Sequence, residues 1–346
     1  MNNALPRTVI ETIVRKAITD IQDAPKRSTR NLIDMALTVA EGRFQSRFFQ
    51  TAQTMLKNEN SSYYKLIPDV AASVDTDKIV TFGLNLGYNS CTVGAKRIRD
   101  FEKREHFNIP WSITLAISGK DYMGKEESYR SVLNQGKALG IYTWMIYALD
   151  GVDHILSLAA HEPECAFVIY CDPEEITEVM LDEAENINDI MFAVRQTDGV
   201  EEACRLLRSR HFLYSVFYTY HDSDLNSIIS GEHLSNIEFL HPVFTAFLAE
   251  PDCTEKTQKA VYQYVTEMRK SQKYPTVLWD AVYDSRFVDS IISEDSCSAG
   301  FDTQGYLCTF QGQLQRLEYN IFRQPLETIL KQAFSKSVIP ISLASA

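Results

Sequence analysis

The chain has 346 residues and a formal net charge of −12, with an isoelectric point near 5.1. A surface that acidic repels phosphate backbones and excludes nucleic acid as a general partner. Hydrophobic residues make up 45% and charged residues 23% of the chain, enough for one sizeable core, such as a barrel with attached segments. No stretch approaches the ~20 apolar residues of a membrane span. The start, MNNALPRTVIETIVRKAI, lacks the basic-then-apolar order of a signal peptide. The seven cysteines are scattered, odd in number and nowhere spaced as CxxC. With no secretion signal that usage predicts reduced thiols and a cytoplasmic location, and the lack of a long apolar run predicts no membrane partner.

Residues 1–76 read as a helical region. Thr8 to Ile21 places Val9, Ile10, Ile13, Val14, Ala17, Ile18 and Ile21 at the three-and-four spacing of one buried stripe, which Pro25 should end. A second helix is expected from Ser28 toward Leu56, then a polar turn at Asn58–Ser62 and a short helix from Tyr63 to Val70. This region either caps the main domain or binds a partner.

Residues 77–111 read as a lead-in strand, IVTFGLNLG, a loop from Gly87 to Gly94 and a charged helix, Ala95–His106. In that helix Lys96, Arg97, Arg99, Lys103 and Arg104 alternate with Asp100, Glu102 and Glu105, the pattern of a solvated, ion-paired face.

Residues 112–274 alternate short apolar runs with amphipathic helices. The runs are Ser112–Ile117, Tyr142–Tyr147, Ala166–Tyr170, Ile190–Val194, Leu213–Tyr218 and Val243–Leu248. Helices are expected at Glu126–Leu139, Val152–His161, Glu174–Glu185, Gly199–Arg208, Asp224–Ser230 and Thr254–Lys270. Strands alternating with helices imply right-handed parallel crossovers, so the fold class is α/β, a partial (β/α)6 TIM-like barrel. Residues 275–346 read as a C-terminal extension. It comprises one more short strand at Val277–Trp279, a hairpin over Phe301–Phe310 turning at Thr303-Gln-Gly305, a closing helix at Leu326–Phe334 and an apolar tail.

Several segments, in order, resemble one subgroup of the radical S-adenosylmethionine enzymes. These are Phe107-Asn-Ile-Pro-Trp-Ser-Ile113 before the first barrel strand, Gln135-Gly-Lys-Ala-Leu-Gly-Ile-Tyr142, Cys165-Ala-Phe167 and Phe212 to His221. Trp279-Asp280, Cys297-Ser-Ala-Gly300 and Gly305 to Cys308 are similar to that subgroup's C-terminal hairpin, where cysteines often serve an auxiliary cluster. The resemblance implies a CxxxCxxC loop after the first strand, whose three thiolates leave one iron of a [4Fe–4S] cluster open to S-adenosylmethionine. This sequence departs there, reading Ala116-Ile-Ser-Gly-Lys-Asp-Tyr-Met-Gly124 without a cysteine, and Cys91 comes too early to replace one. The turn after the second strand, implied as Gly-Gly-Glu-like, reads Ala148-Leu-Asp-Gly151 and leaves Asp150 as its one remnant. The expectation is therefore no cofactor and no radical S-adenosylmethionine activity.

Ligands of α/β barrels meet the C-terminal ends of strands. Those ends carry Asp150, Asp172, Arg195, His221 and Glu250, with Asp222 beside the histidine. Around one mouth they suit acid–base work or a clamp on a polar ligand. The plainer reading is that strand-to-helix turns select such residues as caps. Cys297 and Cys308, even with Cys253, fall short of the four ligands of a closed metal site and read equally as buried thiols. His154, His161, His211, His233 and His241 show no paired spacing. Phosphate-loop, GxGxxG and GxSxG patterns are absent. The run Phe212-Leu-Tyr-Ser-Val-Phe-Tyr-Thr-Tyr220 either lines a peptide or base-stacking pocket or splits between core and barrel lumen. Two functions follow from these residues. One is a non-catalytic module that binds a peptide or protein; the other is an enzyme running different chemistry from the strand ends. A mouth plugged by aromatic side chains favours the first, and a wide polar mouth favours the second.

Overall fold

The computed structural model describes residues 6–40, 43–293, 295 and 297–336. Ten strands form one curled sheet, β1 (Ser112–Ser118), β2 (Thr143–Asp150), β3 (Ala166–Cys171), β4 (Ile190–Arg195), β5 (Tyr214–Tyr220), β6 (Phe244–Ala249), β7 (Val277–Asp280), β8 (Ala299–Phe301), β9 (Leu307–Thr309) and β10 (Gly312–Leu314). The order across the sheet is β10-β9-β8-β1-β2-β3-β4-β5-β6-β7. Strands β8 and β1 to β7 run parallel to their neighbours, while β8, β9 and β10 pair antiparallel. The fold is thus a partial TIM-like barrel, with helices in the crossovers and a hairpin lengthening its β1 edge.

The strand-and-helix alternation is borne out. The helix expected at Glu126–Leu139 spans those residues, with Gly140 ending it in the left-handed region. The third crossover differs. Instead of one helix over 174–185, a turn of 3₁₀ helix (Pro173–Glu175) precedes Glu178–Ala184, because the Thr177 side chain caps the latter by accepting the Met180 N–H at 3.2 Å.

Two apolar layers flank the parallel strands. Outward residues such as Ile113, Leu115, Trp144, Phe192, Tyr214 and Val216 pack under the surrounding helices. Inward residues, among them Val168, Tyr170, Met191, Ala193, Leu213 and Phe217, fill the lumen. The aromatic run of β5 therefore splits between the layers, as strand alternation requires.

The barrel stays open because β7 cannot accept another strand. Arg269 donates to the Leu278 carbonyl at 2.9 Å, and Asp284 accepts the Asp280 N–H at 2.8 Å, so side chains occupy the edge that a ladder would use. The hairpin consequently does not close the open side through β7. Phe301 is buried, whereas Phe310 is 48% exposed. Phe310 sits in the β9–β10 turn, where its ring lies 4.3 Å from the Arg286 guanidinium.

The N-terminal region is helical, with three corrections. Pro25 does not merely end the first helix (Arg7–Asp23). It occupies the first turn of the next (Pro25–Val39), where its missing N–H costs nothing, while Ala24 before it is forced out of helical geometry. The long second helix is two, Pro25–Val39 and Arg43–Met55, because Ala40 is extended. The lead-in strand is a helix, Thr76–Leu84, capped by Asp75 and continued by wide π-helical turns over Asn85–Gly94, where a loop was expected. Its apolar residues look alternating because the helix is buried on two sides. Val80 and Leu84 face the N-terminal helices, and Phe82 enters the lumen. Glu102 also departs from the solvated face assigned to its helix. It is 3% exposed, accepts the Ile109 N–H at 2.8 Å and pairs with Lys336. The apolar tail lies outside the described residues. Among those described, no helix is long and apolar enough to cross a membrane.

Candidate functional site

The C-terminal ends of the strands form the barrel mouth, and its floor is aromatic. Tyr147 and Tyr170 are register partners on β2 and β3, stacked at 5.0 Å with 7° between their planes. Phe217 of β5 meets both edge-on, at 5.9 and 5.2 Å. These three rings plug the lumen at that level. Sequence reasoning missed Tyr147 and Tyr170 as a unit; the parallel register, two residues before Asp172 on β3, is the signal that could have found them.

Above the floor, Arg195 and Asp172 come together. The Arg195 Nε donates to Asp172 Oδ1 at 2.5 Å, its Nη1 donates to Thr219 Oγ1 at 3.3 Å, and its guanidinium lies 5.0 Å over the Phe217 ring. Glu250 follows β6 directly, its N–H donating to the Tyr220 carbonyl at 2.9 Å. Its half-buried carboxylate receives no hydrogen bond or ion pair among the described residues. The Tyr147 hydroxyl, also without a partner, is buried nearby. Burial pushes that phenol up, the neighbouring Tyr170, Glu250 and Asp172 push it further, and Arg195 opposes them. Asp172, Arg195 and Glu250 thus share one mouth with Tyr147.

Asp150 and His221 belong elsewhere on the rim. The Asp150 carboxylate accepts the Ser118 hydroxyl at 3.2 Å and the Lys120 N–H at 3.1 Å, which fastens the short helix Gly119–Tyr122 after β1 onto the end of β2. His221 pairs with Asp252 at 3.0 Å in a solvent-facing contact. Next to it, Asp222 takes the Thr254 hydroxyl at 2.8 Å and the Thr254 N–H at 3.0 Å; the Thr257 hydroxyl first, and then Thr254, hold its carboxyl down at about 2. His221 and Asp222 therefore tie the loops after β5 and β6.

The residues after β1 do not fit an iron–sulfur cluster with S-adenosylmethionine. A β-carbon on Gly119 would lie 2.3 Å from the Gly151 carbonyl oxygen and 2.7 Å from that of Asp150, so backbone touches backbone where the cluster loop would have to open. No thiol lies in that loop. Elsewhere burial pushes the thiols of Cys91, Cys165 and Cys204 up to about 12 and that of Cys253 to about 11. Cys297 is buried and Cys308, opposite Gly300 in the hairpin, half-buried. Among the described residues, no group of three or more His, Cys, Asp or Glu side chains is arranged to hold a metal ion.

No family model and no curated protein matches the chain. Among solved structures, it is similar to Streptococcus suis SuiB, at 13% identity over 81% of each chain with a TM-score of 0.49. SuiB bound to precursor peptide SuiA gives 11% identity over 80% of this chain and 81% of that one, also at 0.49. anSMEcpe with bound AdoMet and a Cp18Cys peptide gives 10% identity over 63% of this chain and 80% of that one, at 0.41. At such identities and TM-scores these likenesses assign neither family nor activity.

Proposed function

We propose that this chain is a non-catalytic relative of radical S-adenosylmethionine enzymes that uses its barrel as a peptide- or protein-binding module. The observation that carries this reading is the closure of the cofactor side of the mouth, where Gly119 is packed against Gly151 and the Asp150 carboxylate is engaged by Ser118 and Lys120. The stacked floor of Tyr147, Tyr170 and Phe217 supports it, since a lumen filled by aromatic rings leaves little room for a small substrate beside the strand-end residues.

The test is anaerobic reconstitution with iron and sulfide, followed by metal analysis and calorimetric titration with S-adenosylmethionine. Expected are a colourless protein without a stoichiometric cluster and no saturable binding in the low-micromolar range. A stoichiometric [4Fe–4S] centre or a tight S-adenosylmethionine site would overturn the proposal.

A further inference from the structure

Helices Arg43–Met55 and Tyr283–Ile292 pack side by side. On the first, Phe44, Arg47 and Phe48 share one face at the spacing of adjacent turns, and the Phe44 and Phe48 rings stack at 6.2 Å. Arg47 reaches across to the second helix, its guanidinium 5.1 Å from the centre of the Phe287 ring. One residue earlier, Arg286 lies against Phe310 of the hairpin. Phe48 is 54% and Phe287 43% exposed, so with Phe310 three of the four exposed phenylalanines among the described residues gather in one place. Apolar residues scattered singly over a surface need no explanation, but rings joined through arginines into one patch do. Aromatic and arginine side chains are also the types most enriched where proteins bind each other tightly. The charge of the patch runs against that of the chain. Helix Arg43–Met55 has two arginines and no acidic residue, and the acids of the other helix, Asp284 and Asp289, are buried. Arg47 pairs with no carboxylate among the described residues. Stacking on Phe287 occupies the face of its guanidinium and leaves the in-plane N–H donors for one.

We propose that this patch is a docking surface for an acidic peptide segment with an aromatic anchor. A carboxylate of the segment takes the in-plane donors of Arg47, and the anchor packs among Phe48, Phe287 and Phe310. Two other occupants fit less well. Residues 337–346 of this chain are apolar but contain no acidic side chain, so they leave Arg47 unanswered. A second copy placed patch to patch about a two-fold axis brings arginine against arginine, between chains that each carry a net charge of −12. Under the module reading, on which this rests, the partner thereby gains a docking place and a chemistry.

The probe is a fluorescein-labelled Gly/Ser peptide carrying a tryptophan flanked by glutamates. One control version has lysine in place of glutamate, and another has serine in place of tryptophan. Anisotropy titrations run on the full chain at about 0.15 M salt, where attraction between distant charges is largely screened. The glutamate–tryptophan probe should bind and the lysine version should not, while loss of the tryptophan should weaken binding. Arg47→Gln and Phe287→Ser should each lower affinity about tenfold, the effect of removing one strong contact of an interface. Arg47→Gln replaces an exposed side chain with a good helix former, so its effect cannot be ascribed to misfolding. Phe239 is 81% exposed on another helix, and Phe239→Ser should change nothing; an equal loss there would mean that the probe merely adheres to exposed rings, and would sink the assignment. The patch also fails as a docking surface if the lysine version binds as tightly, if neither Arg47→Gln nor Phe287→Ser shifts the affinity, or if no probe binds. It fails as well if a synthetic 337–346 peptide displaces the probe with greater affinity, or if sedimentation shows a dimer that Phe287→Ser dissolves, since the occupant is then the chain itself. In each case the module reading stands or falls separately, on the cluster reconstitution and the S-adenosylmethionine titration.

Discussion

Arg269 and Asp284 clasp each other through two hydrogen bonds of 2.8 Å, and the same side chains hold the carbonyl of Leu278 and the N–H of Asp280. One ion pair thereby takes the place of a second neighbour for β7. Asp284 is 2% exposed, so removing its carboxylate strands a guanidinium and a backbone N–H at once. Asp284→Ala should lower unfolding free energy by about 3–5 kcal/mol, as when one member of a buried pair is deleted. Urea denaturation checks it; a loss within ordinary surface values would mean the pair is ornamental.

Gly119→Ala tests the closed side of the mouth. The added methyl must displace the Gly151 carbonyl, which is backbone and cannot rotate away. A cost of about 1–3 kcal/mol is expected, the range for overpacking. A neutral substitution would show that the two loops separate readily, and with them the argument against a cofactor there.

Buried carboxyls set a pH dependence. Desolvation raises Asp289 to about 8 and Asp189 and Asp280 to about 7, against ~3.9 in an unfolded chain. Between those limits the folded state binds more protons, so the stability these groups contribute is full at acid pH and is lost as pH rises from about 4 through 8. The melting temperature should fall between pH 5 and pH 8. Asp289→Asn keeps an acceptor for the Trp111 N–H, 2.9 Å away, and should flatten that slope. Equal slopes in the two proteins would refute the assignment.

The hairpin cysteines are expected to behave as small apolar groups. Cys297→Ala should cost on the order of 1 kcal/mol and Cys308→Ala, half-buried in β9, less. Chelators should leave the melting temperature of wild type unchanged. A chelator-dependent drop matching either substitution would reveal a metal site, because binding energy is then folding energy.

The parallel strands were legible because β3 and β4 are buried on both faces and read as unbroken apolar runs between turn signals. That same property hid the site. An all-apolar strand does not say which side chains face the lumen, so the pairing of Tyr147 with Tyr170 had to come from register. Asp150, Asp172, Arg195, His221 and Glu250 were legible as strand ends, but not their partners. Only Asp172 and Arg195 among them bond to each other, since β3 and β4 are neighbours in the sheet. The open edge was illegible, because the residues that block β7 lie on helices either side of it. The helix at 76–84 was misread because burial between two apolar surfaces erases the one-sided stripe on which the reading depends.

That helix has a consequence for how the protein is made. Lys78 is buried with its ammonium held by the carbonyls of Glu185 and Ile187, and Asn85 donates to the carbonyls of Pro163 and Cys165. A ribosome releases the helix 78 to 109 residues before it releases these acceptors. Phe82 emerges as apolar surface whose final partners include strands still to be synthesised, and non-local contacts of this kind form slowly. Nascent chains halted before β4 should therefore hold this segment protease-sensitive, and it should become resistant only once the strand entrances it seals have been translated.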